Sequence, residues 1–356
     1  MAEIIASLGR INISRQVRSA PDWSIVDTPE AVSHLVDIIC LELVNRQTTS
    51  DVPQVPALYI DIQTNDDSSN QGHGSQCACI SLLQIYLLPR EHIYLVDVQT
   101  LGRQGAFETS GPTHGQSLQS LLESETISKV FFDVRTDAEI LYHRYGVSLG
   151  GVQDLQLMEL AARAVSPRSL RHLNSLPRCI NRDLNLSILE QITWDKWITL
   201  QRKRSQVEMA NRELRRLNGL LFSSLSQAGE RQHKQEMEVE GAGYQLLRME
   251  KGMDISARPL TKGSETMELI GLVVLNVRYL PGLWEEYERR SRPDASHWQD
   301  GNETCGNREE GWRKRVEQGT RERLESARNG QYGLVSGAVG GKGRGKLMML
   351  APVGWE

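Results

Sequence analysis

The chain has 356 residues, 39% of them hydrophobic, with a formal net charge of −4 and a pI near 6.1. That supplies apolar sequence for one large domain or two ordinary ones, and the mild acidity excludes capture of nucleic acid by overall charge, so such a partner must meet a local patch. Five cysteines, Cys40, Cys77, Cys79, Cys179 and Cys305, form no CxxC pair and suggest neither a disulfide framework nor a zinc site.

Residues 1–26 are a mixed polar stretch with Arg10, Arg15 and Arg18, and are expected to be a flexible tail. No apolar run approaches the length needed to cross a bilayer and the N-terminus lacks a signal-peptide core. These features predict an intracellular protein, cytoplasmic or nuclear, with no membrane partner. Asp27-Thr28-Pro29-Glu30 is a helix start, with Pro at an early helical position, and Val32, Leu35, Val36 and Ile39 recur at helical spacing. Three apolar runs follow a polar link, Leu58–Ile62, Ile80–Leu88 and Ile93–Val98. They predict three strands of one sheet, the second and third joined antiparallel through the short Pro89–His92 connection and the first two through a longer polar loop.

Within the first strand Asp61 and Gln63 leave the same face, opposite Ile60 and Ile62. A charge inside an apolar strand is costly to bury unless it binds a metal or a partner, which makes Asp61 the first functional candidate. The bland alternative is an Asp at a strand end that caps a turn.

Gly105 to Gly115 is expected to be a loop, Ser117 to Glu123 a short helix and Lys129 to Phe132 a buried strand. The helix from Asp133 to Tyr145 carries Asp137 in its first turn, where the helix dipole alone would favour a carboxylate. Val147–Val152 gives a turn and a short strand, and Asp154 can cap a helix over Leu155–Ala164. This order predicts an α/β protein with a mixed sheet and helices on its faces.

Beyond Pro167, Leu184–Leu189 and Trp194–Leu200 suggest short helices, and residues 202–254 form a charged insert. The apolar segment from Met267 to Tyr287 holds Asn276 at its middle, and Pro281 begins a further helix. From residue 291 Gly, Arg and Glu dominate, predicting a polar tail. GGKGRGK at Gly340–Lys346 follows no strand and has no Ser or Thr after its Lys, so it is no phosphate-binding loop.

Taken together, IDIQ, KVFFDVRTDAEILYHRYGV, VQDLQLMELAAR and RPL…VLNVRYLPGLWEEY resemble the 3'-5' exonuclease domain of the ribonuclease D type, a DEDD-superfamily domain with a ribonuclease H-like fold, and are most similar to fungal intracellular proteins carrying it. The resemblance implies an exonuclease-like core over 27–201, completed by C-terminal helices over 255–290 beyond the charged insert 202–254. The tail 291–356 follows. In that family four carboxylates hold two divalent ions, Mg2+ or Mn2+, about 3.5–4 Å apart, which activate a water and stabilise the departing 3' oxygen. Asp61 matches the first acid and Asp137 the helical one. Gln63 stands where the family has Glu, Asn276 where it has the last Asp, and Leu272 where it has the water-positioning Tyr.

Gln and Asn keep the shape and one oxygen but lose the charge, so the ligand charge falls from four negatives to two and metal binding is expected to be weak or absent. Glu268 lies off the face of Asn276 and is a poor substitute. The resemblance with these departures implies a protein that binds single-stranded RNA or DNA, and is open to a protein partner, with catalysis impaired or lost. The alternative is a working 3'-5' exonuclease; the bland reading is an α/β protein in which Asp61 and Asp137 are local caps. Arg168, Arg171 and Arg178 lie past the last core helix, where contact with phosphates competes with an ordinary surface role.

Overall fold

A computed structural model of the chain describes residues 22–47, 55–66, 78–163, 172–203, 274–291 and 305–332. Its centre is a mixed sheet. Strand β1 (Asp22–Val26) precedes helix α1 (Pro29–Gln47), then come β2 (Leu58–Asp66), β3 (Ala78–Leu87) and β4 (His92–Asp97). Helices α2 (Val98–Arg103) and α3 (Leu118–Glu123) lead to β5 (Lys129–Phe131), α4 (Arg135–Tyr145), β6 (Val152–Asp154) and α5 (Leu155–Ala161). The six strands lie in the order β1-β4-β3-β2-β5-β6. The β2-β3-β4 meander is antiparallel, while β1 joins β4, β5 joins β2 and β6 joins β5, all in parallel.

Alternation along the strands sorts side chains onto two faces. Leu58, Ile60 and Ile62 of β2, with Leu83 and Ile85 of β3, bury against Val32, Leu35 and Ile39 of α1 and Ile140 and Leu141 of α4. Tyr59, Leu82 and Tyr86 face the opposite layer with Leu157 and Met158 of α5. That second layer is completed by α6 (Leu176–Asp183), α7 over 188–203, α8 (Leu275–Arg278) and α9 (Leu280–Ser291), through Trp194, Leu275, Leu283 and Tyr287. Among the described residues no helix is long and apolar enough to cross a membrane.

Several local expectations change. Asp22–Val26, placed by sequence in a flexible tail, is an edge strand whose register Asp22↔His92 to Val26↔Val96 is supplied by β4. The start of the Gly105–Gly115 stretch is helical: Gln104–Glu108 forms a π-type turn after a kink at Gly102 (φ +65°). In place of two short helices there is the single α7, opened by a capping box in which Ser187 and Glu190 exchange hydrogen bonds.

The largest correction concerns the polar tail. Helix α10 (Cys305–Arg328) packs on α4, α5 and β6, burying Trp312, Val316, Leu324 and Ala327. Its many charged residues outnumber the inner stripe of apolar side chains that packing buries. The residues between 204 and 273, which hold most of the charged insert, Glu268 and Leu272, lie outside the described parts, as do 1–21, 292–304 and 333–356.

Candidate metal-carboxylate site

Asp61 sits on β2 directly across from Gln84 of β3. Both point to the layer of α7 and α8, because their strand neighbours of opposite parity fill the other core. A register shift after Gln63 bends β2 at this point.

Three amides converge on one oxygen. Asp61 Oδ2 accepts hydrogen bonds from Gln63 Nε2 at 2.6 Å, Gln84 Nε2 at 2.9 Å and Asn276 Nδ2 at 3.4 Å. The orientation of Asn276 is fixed from behind, since Trp197 Nε1 on α7 donates to Asn276 Oδ1 at 2.9 Å. An indole N–H can only donate, so the amide oxygen must face Trp197 and the NH2 must face Asp61. Gln84 is fully buried, and its Oε1 has no partner among the described residues. Burial pushes the Asp61 carboxyl up to about 6, with the Gln63 and Asn276 hydrogen bonds pulling the other way.

Asp137 lies in the first turn of α4. Burial, and then repulsion from Asp61, Asp133 and Asp154, raises its carboxyl well above the usual range. Among the described residues its side chain receives one hydrogen bond, from Thr136 Oγ1 at 3.5 Å. A carboxylate kept only for the helix dipole would move the other way, so burial, with the neighbouring acids, outweighs the dipole here.

Behind Asp137 lies a second group. Asp133, a non-glycine residue at φ +62°, accepts both Arg135 Nε at 2.6 Å and Arg135 Nη2 at 2.8 Å. Asp154, fully buried, accepts the backbone N–H groups of Asp133, Val134 and Gln156, and so ties β6 and α5 to the start of α4.

The structure thus brings Asp61, Gln63, Asp137 and Asn276 to one place; Leu272 lies outside the described residues. It also adds Gln84 and Trp197, which sequence reasoning missed. Gln84 carried a signal, a polar side chain within the apolar run SLLQIYLL, the same signal that marked Asp61. Trp197 carried none.

A separate cluster, Glu159, Cys179 and Asp183, has ligand atoms within 4.8 Å of one another. Arg163 and Arg182 already pair with Glu159, and Arg182 and Arg290 with Asp183. Cationic partners fill the positions that an ion would take, so this is an ion-pair network joining α5, α6 and α9.

The mixed sheet thus places one aspartate on a central strand and another in the first turn of the helix after β5. Residues 48–210 match the sequence family described as 3'-5' exonuclease. Among solved structures, Trypanosoma brucei RNase D bound to GMP is similar at TM-score 0.48 and 19% identity, covering 86% of this chain and 64% of that one. The same enzyme with RNA U12 gives TM-score 0.48 and 19% identity over 86% and 70% of the two chains. Brucella melitensis NrnC gives TM-score 0.35 and 15% identity over 77% and 86%. The chain therefore spans less than two thirds of the RNase D chain in the GMP complex. No curated protein matches the sequence.

Proposed function

We propose that the chain is a nucleic-acid-binding protein built on a 3'-5' exonuclease domain, with phosphodiester hydrolysis impaired or lost. The observation that carries this reading is the convergence of three amide NH2 groups on Asp61 Oδ2. Two divalent ions require anionic oxygens. Here Gln63 and Asn276 supply neutral amides, and both turn their N–H groups, not their oxygens, toward the acid. The donor set does not fit a pair of ions. Asp61 and Asp137 are the carboxylates left for metal, and one oxygen of Asp61 is already engaged.

The single-stranded end of RNA or DNA is the expected ligand, since a 3'-5' exonuclease domain is shaped for a chain terminus. An active exonuclease using Mg2+ or Mn2+ is the second reading. Its support is the mutual repulsion of Asp61 and Asp137, which a cation would relieve.

The test is a labelled single-stranded oligonucleotide assay with Mg2+ or Mn2+, run beside metal titration, on wild type and on Gln63→Glu/Asn276→Asp. Under this reading wild type binds the oligonucleotide without trimming it, and the double variant gains metal binding. Trimming by wild type that disappears in Asp61→Ala would overturn it.

A further inference from the structure

The acids near Asp137 number more than the positions considered so far, and the C-terminal helix reaches them. Arg323 of α10 is 4% exposed, and its Nη1 lies 2.5 Å from Asp154 Oδ2 and 3.5 Å from Asp133 Oδ1. Its Nη2 donates to Gln156 Oε1 at 2.9 Å. The end of α10 is anchored independently of that contact, by Arg328 Nε on Ser148 Oγ at 3.1 Å and by His143 Nε2 against the Ala327 carbonyl at 3.0 Å.

Four carboxylates, Asp61, Asp133, Asp137 and Asp154, therefore share this region with two buried guanidiniums, Arg135 and Arg323. Arg135 comes from α4 itself and satisfies Asp133 locally. Arg323 comes from a helix about 170 residues further along the chain than Asp154 and is a cation hydrogen-bonded to Asp154. Charges in a region of reduced dielectric act on one another at full side-chain distances.

We propose that Arg323 is a positioning residue that serves as a built-in counter-cation: α10 delivers it to the acidic group behind Asp137, where it balances charge that a bound metal would otherwise offset. The inference deepens the metal-poor reading proposed above and rests on it. With Arg323 in place, four carboxylates face two guanidiniums. Without it the same four face one, and a dication gains an attraction it lacks in the wild-type protein. The helix thus sets how strongly the site calls for metal, in addition to closing the core.

Mn2+ binding to the full chain, read from the electron paramagnetic resonance signal of free Mn2+, tests this directly. Arg323→Met is expected to tighten Mn2+ about tenfold relative to wild type, and Arg323→Lys, which keeps the charge, to stay within about twofold. A purely structural role would leave Mn2+ affinity unchanged or weaken it. Circular dichroism checks the fold; if the methionine variant unfolds, Arg323→Gln retains an N–H donor toward Asp154 while removing the charge, and the same tightening is expected of it. Unchanged or weaker Mn2+ binding in a folded charge-removing variant, or equal tightening in Arg323→Lys, overturns the proposal. Tight binding of two Mn2+ by wild type would instead overturn the metal-poor reading, and the difference between wild type and the variants would still report on Arg323.

Discussion

Trp197 and Asn276 form a lock across two helices: the indole N–H of α7 holds the amide oxygen of α8 at 2.9 Å, which leaves the amide NH2 turned toward Asp61. The lock decides what a reversion at residue 276 would do. In Asn276→Asp one carboxylate oxygen keeps the Trp197 bond and the other faces Asp61, placing two anions where a donor and an acceptor now meet. Asn276→Asp is expected to lower the melting temperature at pH 8 in a chelator, with Mn2+ restoring it. Differential scanning calorimetry with and without Mn2+ measures this, and an Mn2+ shift of the same size in wild type would contradict it.

Trp197→Phe keeps the ring in the core but leaves Asn276 Oδ1 without its donor. A lost buried hydrogen bond of this kind costs roughly 1–2 kcal/mol. Urea unfolding should show that loss, and it should largely vanish in an Asn276→Ala background, because the partner is then already absent.

Asp137 governs the response to pH. Its folded-state carboxyl is raised above the ordinary value, so the native chain binds this proton more tightly than the unfolded chain does. Stability from this group is full below the unfolded value and falls as pH rises through the folded one. Asp61, pushed up to about 6, acts in the same direction. Asp137→Asn removes the ionisation, so it is expected to stabilise at pH 8 and to give almost no gain near pH 4. Melting temperature against pH for wild type and variant reads this out; a variant less stable at pH 8 would count against it.

Glu159 holds the second layer together. Its carboxylate accepts from Arg163, Arg182 and Asn174, and burial is overcome by those bonds, so its carboxyl sits below the usual range. Glu159→Ala strands these donors and is expected to cost roughly 3–5 kcal/mol by denaturant unfolding. Zinc at micromolar concentration is expected to leave the wild-type melting temperature unchanged, because the arginines already supply the positive charge.

Lys129 is fully buried in β5 and donates to the carbonyl oxygens of Leu121 at 3.0 Å and Ser124 at 2.7 Å, closing the C-terminal end of α3. Burial lowers its ammonium to about 8. Lys129→Met leaves two carbonyls without this donor and is expected to cost roughly 2–4 kcal/mol near neutral pH. The difference should widen as pH rises from about 8 toward the ordinary lysine value, because the folded amine gives up its proton before the unfolded one does.

Sequence by itself determined the strands whose pattern is local. Leu58–Ile62, Ile80–Leu88 and Ile93–Val98 show as apolar runs because each is buried on both faces, and Pro89–His92 can make only a tight antiparallel connection. It also determined that Asp61 and Gln63 share a face, since strand parity is set by covalent geometry. The first turn of α4 and its Asp137 followed from helical spacing in the same way.

Tertiary structure decided what contact creates. The edge strand β1 exists through its pairing with β4, and the apolar stripe of α10 is buried only by packing on α4, α5 and β6. The direction of the Asn276 amide depends on an indole 79 positions away, and the counter-charge of Asp154 on an arginine 169 positions away. Side-chain chemistry fixes which groups can donate or accept, but only the folded chain fixes which of them meet, and at this site the meeting of three amides with one carboxylate sets its chemistry.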